Sequence, residues 1–215
     1  MKNRLHDKKA GIAILVSLII ISVAEVIYRA IIANGIVFTT SNFGEQLTVI
    51  IFALMILIFT AKGKDRVCYI LYGAWIAYFV MDQAFELPGM VGDLVINFSQ
   101  TRMAISICLR LVSMLCIIAL SALLVEYMND GSIYNRAFYI LSVITVLLHV
   151  VTIGISGNGL ILLSKTTSNI DITLHSSYNM LIIFNNIYRI IMVFLFAFFA
   201  YDSAKKQLNK VDFSK

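Results

Sequence analysis

Glu25 and Arg29 stand four residues apart inside an apolar run that covers residues 11–33. That spacing puts a carboxylate and a guanidinium on one helical face, where they can pair or hold a charged ligand between them. Thr145 and His149 repeat the spacing, as do His175 and Asn179. An imidazole and an amide placed this way offer a proton carrier and hydrogen-bonding groups. The other ionic groups in apolar surroundings are Asp82, Glu86, Arg110 and Arg189, with Asn186 three residues before the last. Three acids therefore balance three arginines. A lone charge at the centre of a bilayer costs roughly 2.5–3.5 kcal/mol, so pairing or contact with water is expected for each.

In chain order, Glu25-x-x-x-Arg29, Thr145-x-x-x-His149 and His175-x-x-x-Asn179 resemble the three motifs of the CAAX-type prenyl endopeptidase and bacteriocin-immunity family. The resemblance implies intramembrane hydrolysis, with a glutamate and a histidine activating water and a histidine and an asparagine holding the oxyanion. Ala24 stands where that family has its first glutamate, and Thr145 replaces its phenylalanine. A zinc site from His149, His175 and a carboxylate is chemically feasible. The H-E-x-x-H spacing is missing, however, and no metal or cofactor is assigned. Gly63-Lys64 lacks the glycine-rich loop that wraps phosphate.

The elements that must position these groups are membrane spans. The chain has 215 residues, 60% hydrophobic and 13% charged, with a mean hydropathy of +0.89. That balance excludes an ordinary globular domain. Runs of about 20 apolar residues, enough for a helix to cross the hydrocarbon, recur between short polar segments. The expected fold is an all-α, polytopic bundle of six transmembrane helices over residues 11–33, 43–61, 67–87, 103–125, 137–156 and 174–201. The first run reads as a retained helix, because it carries Glu25 and Arg29 and lacks a small-residue cleavage site. Pro88, the only proline, is expected to end the third span. Leu160–Leu163 are expected to lie in a loop against the membrane surface.

The net charge of +5 arises at the membrane edges. Lysines and arginines precede the first span, fill 62–66 and follow the last, which predicts both termini on the cytoplasmic side of a bacterial-type inner membrane. It is not a nucleic-acid footprint.

Stepping 100° per residue aligns Ser22, Glu25 and Arg29 in the first span, and Trp75, Tyr78, Asp82 and Glu86 in the third. The fourth span aligns Arg102, Ser106, Arg110 and Ser113, and the fifth aligns Ser142, Thr145, His149, Thr152 and Ser156. In the sixth, His175, Asn179, Asn186 and Arg189 share a face. The second span has no polar stripe and is expected outside, against lipid. These stripes predict one outward-facing, charge-balanced pocket for a small polar or amphipathic ligand, serving uptake or sensing. Arg29, Arg110 and Arg189 would hold its acidic group, and Glu25, Asp82 and Glu86 would neutralise them or hold an amine. His149, His175, Asn179 and Asn186 would add hydrogen bonds. Size, helix number and an outward pocket are similar to the substrate-capture subunits of energy-coupling-factor vitamin importers, which implies a partner membrane subunit.

Overall fold

The computed structural model describes the backbone of residues 2–31, 40–96, 101–130, 136–166 and 169–212, and side chains within 9–30, 44, 46–64, 66–96, 104–105, 107–124, 136–155 and 180–202. Among the described residues the fold is all-helical: α1 (Lys2–Ile31), α2 (Thr40–Ala61), α3 (Asp65–Ile96), α4 (Thr101–Asp130), α5 (Arg136–Thr166) and α6 (Asn169–Asp212). Five helices contain stretches long and apolar enough to cross a membrane, and α2 contributes a shorter apolar stretch, Gln46–Ala61. These helices are compatible with a multi-pass integral membrane protein.

Each helix packs against the next in the chain, α6 closes the ring against α1, and α4 also reaches α6. Aromatic rings fill the gap between α3 and α6. Phe79 meets Tyr188 and Phe196 edge-on, and Tyr69 meets Phe199. The Tyr69 hydroxyl also donates to the Asp202 carboxylate, joining the start of α3 to the end of α6.

The turn between α2 and α3 is built on Gly63, whose φ of 68° suits a residue without a side chain. Lys64 N–H donates to Phe59 C=O and Gly63 N–H to Thr60 C=O, which satisfies the last carbonyls of α2. The Lys64 carbonyl then receives the N–H groups of Val67 and Cys68 at the head of α3.

The outer surface is apolar. Phe85 is 78% exposed, and Ile70, Val95 and Ile140 are similarly bare. Water would penalise such a belt, whereas lipid accepts it provided that backbone polar groups are bonded within helices. The interior has two chemically different halves. At the end carrying the α2–α3 turn it is apolar, built on Leu15, Leu18, Ile56, Leu120, Phe138 and Phe196. Toward the other end the same helix faces present Ser22, Glu25, Gln46, Gln83, His149 and Arg189, all buried.

Three expectations need correction. Pro88 does not end its helix; α3 runs through it to Ile96. The buried stripe Ile76, Phe79, Gln83 continues at Met90, seven residues after Gln83, so keeping the helix returns Met90 to the interior. Proline is tolerated in such helices because neighbouring groups and local adjustment re-satisfy the freed carbonyl. The expected loop at 157–173 is largely helix, since α5 runs to Thr166 and α6 begins at Asn169. Finally, α2 does not stand outside the bundle. Val49, Ala53 and Ile56 are fully buried, and α2 takes its place in the ring between α1 and α3.

Candidate functional site

The polar half of the interior contains two clusters where the sequence suggested one. In the first, α1 turns Ser22 and Glu25 inward below Arg29. The Arg29 guanidinium donates to Glu25 Oε1 through Nε at 3.0 Å and Nη2 at 2.5 Å. The second carboxylate oxygen accepts Gln46 Nε2 from α2 at 2.9 Å. Glu25 and Gln46 are buried and Arg29 nearly so. Both carboxylate oxygens are occupied, while Ser22 Oγ, Arg29 Nη1 and Gln46 Oε1 are buried with no hydrogen-bond partner among the described residues.

The second cluster draws on four helices. Glu86 of α3 is its centre: one oxygen, Oε2, accepts Arg110 Nη2 of α4 at 3.2 Å and Arg189 Nη2 of α6 at 3.1 Å. The two arginines differ in setting. The side chain of Arg189 is 3% exposed, whereas Arg110 is 30% exposed and Glu86 itself 37%. Asp82, one turn before Glu86, feels the charges of Glu86, Arg189 and Arg110, and accepts Gln83 Nε2 at 3.2 Å. Two acids and two arginines balance.

His149 of α5 lies behind this group, fully buried and within reach of the charges of Arg189 and Arg110. Its Nδ1 lies 2.7 Å from Asn186 Oδ1 of α6. Asn186 spends its own Nδ2 on the Ile182 carbonyl at 2.7 Å. The amide oxygen is therefore the acceptor, and His149 Nδ1 carries the donated hydrogen. His149 Nε2 is buried and has no hydrogen-bond partner among the described residues.

Chemically, the second cluster can hold an acidic group on Arg110 and an amine on Asp82 or Glu86. Taking such charges out of water costs several kcal/mol per ion, and pairing them seldom improves on well-packed apolar side chains. Four ionic groups at the meeting point of four helices are thus a poor choice for stability alone. Arg110 and Glu86 are partly exposed, whereas Glu25 and Gln46 are buried.

The sequence placed Glu25, Arg29, Asp82, Glu86, Arg110, His149, Asn186 and Arg189 in a single pocket. The fold divides them, with the first two in the α1–α2 cluster and the remaining six around Glu86. The side chains of His175 and Asn179 lie outside the described residues. Tyr78, aligned with Asp82 and Glu86 in the sequence, is exposed on the outer surface, while Trp75 is fully buried against Phe52. Two participants were missed, Gln46 and Gln83. Their signal was available: each is an amide within a stripe of buried apolar residues, Gln46 with Val49, Ala53 and Ile56, and Gln83 with Ile76 and Phe79.

Glu25 bonds to Arg29 and Gln46, and His149 to Asn186. No group of three or more histidine, cysteine or acidic residues suited to a metal ion occurs among the described residues. Comparison with protein-family models, with curated proteins and with solved structures finds no match to this chain.

Proposed function

We propose that this chain is a six-span membrane protein, with both termini cytoplasmic, whose Glu86-centred chamber binds a small solute bearing an acidic group, for uptake or sensing. The observation that carries the reading is the convergence of Arg110 and Arg189 on one oxygen of Glu86 while Arg110 remains partly exposed. An incoming carboxylate or phosphate competes with Glu86 for Arg110, whose planar fork suits bidentate binding. Arg189 stays with Glu86 and fixes it. A solute that also carries an amine gains Asp82, so zwitterions are favoured over simple anions.

The basic residues Lys62, Lys64 and Arg66 at the opposite end favour a cytoplasmic placement of the α2–α3 turn, and therefore an outward-facing chamber. The apolar half of the interior would close the path toward the cytoplasm, so transport would require a partner membrane subunit or a rearrangement of helices.

The test is a thermal-shift screen of the purified chain in detergent against amino acids, small peptides, vitamins and lipid head groups. A solute at about 100 times its Kd stabilises by about 2.7 kcal/mol, which is readily seen in Tm. A shift confined to zwitterionic or anionic solutes is the expected result. Stabilisation by neutral solutes only would contradict the reading.

A further inference from the structure

A cavity of about 580 Å³ opens between α3 and α4 in the apolar half of the bundle. Ile70, Gly73, Ala77 and Met81 line its α3 wall, Leu124 lies on the α4 wall, and Phe199 of α6 closes it. It does not belong to the Glu86 chamber. Gly73 faces open space on this wall. A Cβ there would meet nothing within 4 Å, and the backbone does not need glycine, because the only positive φ assigned to a glycine among the described residues is at Gly63. Glycine weakens a helix interior, so a larger residue would have favoured the helix while filling the cleft.

We infer that this groove holds one acyl chain of an anionic phospholipid whose head group sits on Arg66, Lys64 and Lys62. The inference rests on the membrane placement proposed above. By helical geometry Arg66 lies on the same stripe as Ile70, Gly73 and Ala77, within about 60°. It is exposed, as are Lys62 and Lys64, and none of the three forms an ion pair among the described residues. The lining runs from Ile70 to Met81, about 16 Å of helix at 1.5 Å per residue. That matches one leaflet, half of a hydrocarbon core about 30 Å thick. Basic groups therefore stand where the phosphate of a lipid in that leaflet would lie. A second copy of the chain fits less well, because a transmembrane helix is about 10 Å wide and packs on a face, whereas this cleft is closed behind by Phe199.

Native mass spectrometry of the full chain in detergent, titrated with dioleoylphosphatidylglycerol or dioleoylphosphatidylcholine, tests this directly. One phosphatidylglycerol should bind at least about tenfold more tightly than phosphatidylcholine. Arg66→Gln should weaken it about fivefold, and Lys62→Gln, Lys64→Gln and Arg66→Gln together about a hundredfold, as loss of one and three basic groups at a membrane surface implies. Gly73→Phe should abolish binding of both lipids with the helical circular dichroism retained, and Ala77→Leu does the same service if Gly73→Phe fails to fold. Equal binding of the two lipids, or binding that survives a filled groove, would overturn the inference. So would a wild-type dimer that Gly73→Phe dissociates with lipid binding unchanged. Arg110→Ala should leave lipid binding intact, so loss of the solute reading and loss of this one are told apart.

Discussion

Arg189 of α6 reaches Glu86 of α3 at 3.1 Å, joining residues 103 positions apart in the chain. This contact bridges two helices that also meet through aromatic rings and the Tyr69–Asp202 hydrogen bond. Glu86→Ala removes the carboxylate that the buried Arg189 pairs with at 3.1 Å. The expected cost is roughly 2 kcal/mol, between the values for breaking exposed and buried pairs. Arg110→Ala, at a partly exposed site, should cost less than about 1 kcal/mol. Thermal denaturation in detergent separates the two; equal losses would mean that the Glu86–Arg189 contact adds nothing beyond that of Arg110.

The Glu25 cluster is expected to behave as a structural unit. Gln46 is buried and donates to a carboxylate, a class of bond worth about 1.5–3 kcal/mol. Gln46→Leu should therefore lower Tm markedly. In a double-mutant cycle with Glu25→Gln the losses should fall well short of additive, since the two residues share one bond. Additive losses would show that Gln46 contributes through packing alone.

Glycines at two positions should respond in opposite directions. A Cβ on Gly11 would lie 2.6 Å from Cζ of Phe198, at the seam where α6 closes on α1. Gly11→Leu should overpack that seam at a cost of about 1–3 kcal/mol, and Phe198→Ala should restore part of it. Gly73→Ala meets open space and should stabilise by about 0.5–1 kcal/mol through helix propensity. Chemical denaturation of Gly11→Leu, with and without Phe198→Ala, and of Gly73→Ala checks both signs.

The hydrogen on His149 is fixed by its partner. Because Asn186 Nδ2 is committed to the Ile182 carbonyl, nitrogen chemical shifts of labelled histidine should report an Nδ1-protonated ring for His149. Asn186→Leu should remove that signature. A ring protonated at Nε2 alone would mean that the Asn186 amide is oriented the other way.

Helical periodicity made part of this legible. The i,i+4 spacing of Glu25 and Arg29 fixed their pairing, because both partners lie on one element. The shared face of His149 with Ser142, Thr145 and Thr152 likewise marked the inward side of α5. Periodicity states which way a residue points along its own helix but not which neighbour it meets. Glu86 could therefore be placed on a polar face, yet its joint capture by Arg110 and Arg189 depends on how α3, α4 and α6 are rotated against one another. The same limit explains the division into two clusters. Gln46 was missed because one amide leaves α2 almost wholly apolar, although that amide is what completes Glu25. At Pro88 the local rule for ending a helix lost to tertiary packing, through the burial of Met90.

The proposed function assigns the solute to the Glu86 cluster and not to the Glu25 cluster. Calorimetric titration of the most strongly stabilising solute into the wild type, Arg110→Ala and Arg29→Ala tests it most directly. The expected result is an affinity at least about tenfold weaker with Arg110→Ala, equivalent to about 1.4 kcal/mol, and nearly unchanged with Arg29→Ala. Binding undiminished in Arg110→Ala, or lost in Arg29→Ala alone, would contradict it.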